Sequence, residues 1–395
     1  MTRILVAGAG IGGLTAALCL KQTGFDVTVF ERAASLSGAG VGIQLGPNAL
    51  HVLDALCLRA DLDVCAVTPE AVSLRNYRTG KPHLQVPLGE RFRARYGNGY
   101  VHIHRADLQK ILYRAARRNG IRVKTGHTVT GVSPCETCIR VMTSRGDFDG
   151  DILIAADGIR STLRRILFGN LQAEFSGCIA WRALIDPLKL DVPVAKQIHG
   201  WIGPRRHVVA YYVRGGALIN LVAVEDDQKW AGESWMEPGD KSELLQHFSG
   251  WNTHVISLLS ACEDVYKWGL FDRNPLSDWT DGRVTVLGDA AHPMLPFMAQ
   301  GAAMAIEDGW VLAHCLCRYP VTQALQNYER FRKPRTSHLQ AISRQNAKLY
   351  HAQGAARTWR NFKLAIGHAI QPLQDMQLDL IYGTNVARDY PLEFA

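Results

Sequence analysis

Hydrophobic positions along the chain follow two kinds of pattern. At three points they run nearly without interruption, in Ile4-Leu5-Val6-Ala7, in Asp151–Ala156 after its leading Asp, and in Arg283–Leu287 after its leading Arg and with Thr285 inside. Short continuous apolar runs predict strands buried on both faces, as in a parallel sheet. The stretch from Leu14 to Gln22, rich in Ala and Leu, predicts a helix ended by Gly24, and Asp26–Phe30 predicts a second strand closed by Glu31. Helices are also predicted over Gln109 to Arg118 and from Gln300 through Asp308. Between Gly177 and Val224 the pattern changes. Cys178–Ile185 and His207–Val213 read as antiparallel strands, with turns at Gly203-Pro204 and Gly215-Gly216. Downstream, Thr322 to Tyr350 predicts a helix interrupted at Pro334, and Trp359 to Asp379 predicts another.

Composition narrows the class. A chain of 395 residues, 47% apolar and 20% charged, has material for a large core and a prior of two to three domains. No apolar run is long enough for a spanning helix, and Met1 to Gly13 makes a poor signal peptide, so a cytoplasmic protein without stable membrane insertion is expected. Nine scattered cysteines suit free thiols in a reducing compartment. Cys135 and Cys138 form a lone CxxC without a second pair, so no metal site is expected there. The net charge of +8 is concentrated: Arg75 to Arg118 holds eleven Lys and Arg against Glu90 and Asp107. Such a patch suits nucleic acid, an acidic membrane surface, a nucleotide cofactor or a small anion. No RNA-binding or helix-turn-helix signature accompanies it, which favours a small anion and no nucleic acid.

The first strand runs directly into Gly8-Ala9-Gly10-Ile11-Gly12-Gly13, a GxGxxG on Gly8, Gly10 and Gly13. Gly8 permits the tight turn, Gly10 lets a pyrophosphate approach the backbone, and Gly13 allows close packing of helix on strand. The helix N-terminus then offers free N–H groups to the phosphate. Glu31 stands where an acid can hold a ribose hydroxyl pair, which disfavours a 2′-phosphate and leaves FAD or NAD. Asp157-Gly158 ends the later strand and Gly288-Asp289 ends the last one, where an unpaired carboxylate would be costly. Gly38 to Gly42 is glycine-rich without a strand–turn–helix setting and suits a loop approaching a ligand.

Taken with His102-Ile103-His104-Arg105-Ala106-Asp107-Leu108, the stretch from Ala291 to Gly309 and the late Ile381 to Val386 run, these motifs resemble the single-component FAD-dependent aromatic hydroxylases, in their salicylate and 3-hydroxybenzoate branch. The likeness spans nearly the whole chain. It implies an α/β fold: a Rossmann-like FAD-binding domain with an inserted β-sheet substrate domain and a helical C-terminal tail. The expected parts are residues 1–75, 99–175 and 272–320 for FAD, 76–98 and 176–271 for substrate, and 321–395 for the tail. The resemblance implies that Glu31 and its neighbour Arg32 lie at the adenosine side and that Gly42 and Arg105 lie along FAD. Asp157 would touch FAD and an arriving nicotinamide nucleotide, Asp289 the ribityl chain, and Gly301 and Ala302 the flavin N1–C2=O edge. Pro296 and Phe297 would wall the pocket beside the ring. A helix starting at Gly301 would independently direct its positive end at that edge.

His207 and Tyr211 stand four apart in a strand and so share a face. In the family a His and a Tyr at this spacing face the substrate. His207 would be the general base for a phenol and Tyr211 would orient it; a sheet histidine and a core tyrosine are the plainer alternative. Trp181 and Arg182 read as packing and a structural ion pair. The reaction implied is hydroxylation of a small phenolic carboxylic acid, salicylate- or 3-hydroxybenzoate-like, with bound FAD, transient NADH or NADPH, O₂ and a flavin C4a-hydroperoxide. Alternatives are a bulkier ring (a quinone precursor, a phenazine or a pyridine acid) and an FAD-binding protein without hydroxylase turnover. Phe297, where some pyridine-acid relatives place a His, weighs against a hydroxynicotinate. The protein is expected to be a monomer or homodimer.

Overall fold

The computed structural model describes residues 1–36, 40–169, 173–227 and 237–393, without the side chains of residues 368 and 369. The nearly continuous apolar runs build one six-stranded sheet, in the order Thr280–Asp281, Val284–Val286, Ile152–Ala155, Arg3–Ala7, Asp26–Glu31, Arg122–Thr125. All pairs are parallel except the first. The helix Ile11–Gln22 begins three residues ahead of the expected Leu14 and is buried along nearly its whole length. It packs on the helix Gly301–Arg318 at backbone contact: a Cβ added to Gly309 would come 2.7 Å from the Ala16 nitrogen.

The alternating segments form a larger sheet of eight strands. At its centre Glu174–Ile185, Leu218–Asp226 and Arg206–Val213 are antiparallel neighbours. Ile198–Gly203 follows, and the edge is Ala71–Asn76 with Pro82–Pro87. The strand Ala71–Asn76 pairs along its length with Ile198–Gly203. The chain therefore crosses into this sheet ahead of Ala71, not after residue 75. Alternation gives the sheet two unlike faces. Trp181, Ala183, Val208, Ala210, Leu221 and Ala223 pack against Leu244, Val255 and Leu258 of two short helices and against Phe248 between them. The opposite face looks back toward the six-stranded sheet and walls a cavity.

The C-terminal region is helical but divided differently from the pattern. Val321–Tyr350 is one helix with Pro334 inside it. An interior proline costs about 3 kcal/mol, and a buried ion cluster holds the flanking turns in place. Arg332 donates to Glu307 (2.6 Å) and to Asp308 (2.7 Å), and Arg335 donates to Glu307 (2.9 Å). The expected helix from Trp359 to Asp379 is instead two, Gly354–Ala369 and Gln371–Tyr382, with extended backbone at Ile370. Pro372, which has no N–H to donate, sits in the first turn of the second, where helices tolerate it.

Candidate functional site

A cavity of about 590 Å³ lies between the glycine turn, the large sheet, the start of Gly301–Arg318 and the last helices. At one end the residues suit a phosphate-bearing ligand. Gly8 adopts φ 108°, and a Cβ there would strike the Ala156 carbonyl at 2.3 Å. A Cβ on Gly13 would sit 2.1 Å from the Gly8 oxygen, so the helix can rest on the turn only as glycine. Gly10 has nothing within 4 Å of its missing Cβ and lines the cavity with Gly13. The backbone there is bare and open to a ligand. Glu31 closes the turn by accepting the Ala9 N–H (2.9 Å) and the Ala33 N–H (2.9 Å). Neither Glu31 nor the exposed Arg32 is on the cavity wall.

Arg105 and Asp289 do line the cavity. Burial raises the Asp289 carboxyl above its ordinary value, and His292, Arg105 and Arg164 counter the rise. Asp157 stands behind the wall: one oxygen accepts from Thr162 N–H (2.8 Å) and Leu163 N–H (3.2 Å), while Oδ1 is buried without a partner among the described residues. Gly301 and Ala302 open a long helix toward the cavity, and a Cβ on Gly301 would lie 3.9 Å from an Asp289 carboxylate oxygen. Gln300 precedes them with its buried Nε2 unpaired among the described residues. Val41 and Gly42 form part of the wall, and Gly42 N–H donates to Asn220 (2.7 Å); Gly38 and Ala39 lie outside the described residues. Orphaned buried polar atoms beside bare glycine backbone mark a cradle shaped for a dinucleotide.

Strand register assembles the other end. His207 pairs with Val224, Val209 with Val222 and Tyr211 with Asn220. Val222 in turn pairs with Arg182. Arg182 therefore projects from the same face as His207, Val209 and Tyr211, two strands across. Among the described residues that this face turns to the cavity, only those three, His207, Tyr211 and Arg182, are polar; the rest include Val72, Leu74, Leu84 and Val86. Burial lowers the Arg182 guanidinium to about 10. Its Nε has no hydrogen-bond partner among the described residues, and its guanidinium carbon lies 4.1 Å from the centre of the Trp268 ring. The expected structural ion pair is absent among the described residues. Trp181 faces the other way and donates to Glu225 (2.7 Å).

Burial, with His351 adding to it, holds His207 well below the usual histidine range, so it is neutral near pH 7. Burial pushes the Tyr211 phenol up, which keeps it protonated. Pro296 and Phe297 line the cavity, with the Phe297 ring 5.4 Å from that of His207. Their loop is tied down from behind. Asp308 accepts from Gly288 N–H (3.1 Å) and pairs with His292 (2.6 Å), and Ser343 donates to the Leu295 carbonyl (2.7 Å).

Several contributors lay outside the sequence reading. Arg182 gave the right residue type, but its face depends on register with strands some 30 to 40 residues away. Tyr350, Leu378 and Tyr382 line the cavity from the tail, which the pattern presented only as scaffold. The basic segment contributes less than its charge suggested. Arg91 pairs with Asp375 (2.6 Å) and Arg95 with Asp379 (2.6 Å), and of the eleven cations Arg105 is the one found on the cavity wall among the described residues. Cys135 and Cys138 are free thiols at the turn between Val129–Pro134 and Ile139–Thr143.

Residues 1–343 match the FAD binding domain family. The chain is 37% identical over 391 residues to a 3-hydroxybenzoate 6-hydroxylase of Polaromonas naphthalenivorans, covering 97% of this chain and 96% of that one. It is 36% identical over 358 residues to a 6-hydroxynicotinate 3-monooxygenase of Pseudomonas fluorescens, covering 88% and 91%. A salicylate hydroxylase solved with its substrate superposes with a TM-score of 0.82 at 26% identity, covering 99% and 97%.

Proposed function

Because the chain belongs to the FAD-dependent aromatic-ring monooxygenases, we propose that it hydroxylates a small phenolic carboxylic acid of the salicylate or 3-hydroxybenzoate type, consuming NADH or NADPH and O₂. The observation that carries this reading is the pairing of a neutral buried base, His207, with a partly buried cation, Arg182, that has no carboxylate partner among the described residues, on one otherwise apolar wall. A buried cation is costly unless a counter-charge meets it, and a substrate carboxylate supplies that charge.

When bound, FAD reduced by the nicotinamide nucleotide supplies the activation of O₂. The chain's own residues bind, orient and exclude water. The glycine turn and Arg105 would hold the pyrophosphate, with Glu31 keeping spare lone pairs for ribose hydroxyls. Asp289 would hold the ribityl chain, and Asp157, through the Oδ1 that has no partner among the described residues, would contact the cofactors. The N–H groups of Gly301 and Ala302, at the positive end of a helix, would stabilise negative charge on the flavin edge. Arg182 fixes the carboxylate, Tyr211 orients the ring, and His207 takes the phenolic proton so that the ring becomes electron-rich. Leu74, Leu84 and Val86, with Pro296 and Phe297 from the facing loop, keep water from the reacting carbon.

A second reading is a pyridine acid, favoured by the likeness to the 6-hydroxynicotinate enzyme. Both are tested with the FAD-loaded protein by following NADH and NADPH oxidation and H₂O₂ release as salicylate, 3-hydroxybenzoate, 4-hydroxybenzoate and 6-hydroxynicotinate are added in turn. Stimulation by salicylate or 3-hydroxybenzoate with little peroxide supports the first reading. Stimulation by 6-hydroxynicotinate alone supports the second, and stimulation by none contradicts both.

A further inference from the structure

His207 does not end at the cavity wall. Its Nδ1 lies 2.8 Å from Nε2 of His351, which follows the long helix Val321–Tyr350. Nδ1 of His351 in turn contacts Oδ1 of Asp226, at the end of the strand beside that of His207. Exposure rises along the chain: His207 is 4% exposed, the His351 side chain 6% and the Asp226 side chain 27%. A continuous row of hydrogen-bonding groups thus runs from the cavity to the surface.

With both histidines neutral, the row has one self-consistent proton arrangement. An ionised carboxylate only accepts, so Asp226 receives the N–H of His351 Nδ1. Nε2 of His351 is then the acceptor and receives the N–H of His207 Nδ1. That leaves Nε2 of His207, on the ring that lines the cavity, as the basic lone pair. The surroundings offer no competing base among the described residues. Phe297 and Tyr350 pack on the His207 ring, burial keeping the Tyr350 phenol raised and protonated. Cys178 lies 3.7 Å from Asp226 with its thiol pushed up to about 12, first by burial and then by that carboxylate. Arg205, 3.4 Å from the other Asp226 oxygen, marks the solvent end. Backbone bonds knit the group together: Arg205 N–H donates to the His351 carbonyl (3.1 Å) and Asp226 N–H to the Arg205 carbonyl (3.0 Å).

We propose that His351 and Asp226 conduct the substrate's phenolic proton from His207 to solvent, an inference that rests on the phenol-hydroxylating reading above. The phenol O–H breaks as Nε2–H forms on His207. The Nδ1 proton of His207 passes to Nε2 of His351, and the Nδ1 proton of His351 passes to Asp226, which releases it to water. One proton leaves the phenol and one reaches solvent, with no charge left on the buried His207. After hydroxylation, a proton moving inward along the same row to the product phenolate restores the starting tautomers. His351 and Asp226 are positioning residues that act through His207.

The test is rapid mixing of oxygen-free, FAD-loaded protein with 3-hydroxybenzoate or with salicylate in weak buffer containing phenol red, without pyridine nucleotide. Wild-type protein is expected to release a proton in step with ring binding. His351→Gln and Asp226→Asn are each expected to slow that release at least tenfold, while FAD content and the ring's dissociation constant change less than about threefold. Asp226→Asn guards against a folding defect in the first variant, since its side chain is isosteric and partly exposed. Release at the wild-type rate in both variants overturns the relay. So does slowing matched by equal loss of ring affinity or of FAD, which would mark a structural role. If the wild type shows no ring-stimulated turnover with any acid of the panel, it is the hydroxylase reading that has failed.

Discussion

His207 and Arg182 make separable contributions, and their substitutions should fail in different ways. His207→Gln keeps the volume and removes the base. A positioned base contributes about a hundred- to ten-thousand-fold, so kcat/KM should fall within that range while FAD stays bound. Arg182→Met keeps the stem and removes the charge. Losing hydrogen bonds to a charged group costs about 1.5–3 kcal/mol, so the Kd for 3-hydroxybenzoate, read from flavin absorbance, should rise about 10- to 100-fold. Binding of the neutral 3-hydroxybenzamide should change little. Equal loss for acid and amide would show that Arg182 packs rather than pairs.

The elements that hold these side chains depend on the buried ions between Gly301–Arg318 and Val321–Tyr350. Burial would raise Glu307 and Asp308, but Arg335 and Arg332 on the first and His292 and Arg332 on the second outweigh it and hold both carboxyls below their ordinary values. Removing one partner of such a set leaves buried charge, so Arg332→Ala should destabilise the protein by about 3–5 kcal/mol in urea unfolding. Gly13→Ala should instead leave the protein short of FAD, because its Cβ would meet the Gly8 oxygen at 2.1 Å; the ratio of flavin to protein absorbance reads this. Much of this architecture was legible in the sequence where the signal is local. The glycine turn is set by neighbours in the chain, and a period of two put His207 and Tyr211 on one face. Arg182 was not legible as a cavity residue, because its side is fixed by pairing with Val222 and, through it, Val209. His351 meets His207 across 144 residues, a contact that no short-range pattern encodes. The break at Ile370 had a signal in Pro372 that the apolar spacing on either side masked.

Across the whole molecule, the cavity is closed by parts that come together only in the finished fold. Tyr382 brings the tail onto its wall, packed against Phe92 and Tyr100 with ring centres 5.7 and 5.8 Å away. Tyr382→Ala should enlarge the cavity, raising KM for a small phenolic acid and admitting a bulkier ring, as turnover with a naphthoic acid would reveal. The same enclosure buries several neutral histidines. Desolvation lowers His102 to about 3 and His199 to about 4, and holds His207 well below the usual value. In the unfolded chain each would bind a proton near pH 6.5, at about the reference value. The unfolded state therefore gains protons first, and stability should decline as pH falls below about 6.5, by up to about 1.4 kcal/mol per unit for each such histidine. Glu307 and Asp308 add their loss at lower pH, as they are protonated below the ordinary carboxylate range. An unfolding midpoint that stays level between pH 7 and 5 would contradict the buried-neutral assignment. The central claim, that this cavity inserts oxygen into a phenolic acid, is tested most directly by turnover with NADH, 3-hydroxybenzoate or salicylate, and isotopically labelled dioxygen. The account predicts one labelled oxygen in a new ring hydroxyl, with NADH consumed nearly one for one with product. Recovery of the unaltered acid, with all consumed NADH appearing as hydrogen peroxide, would contradict it.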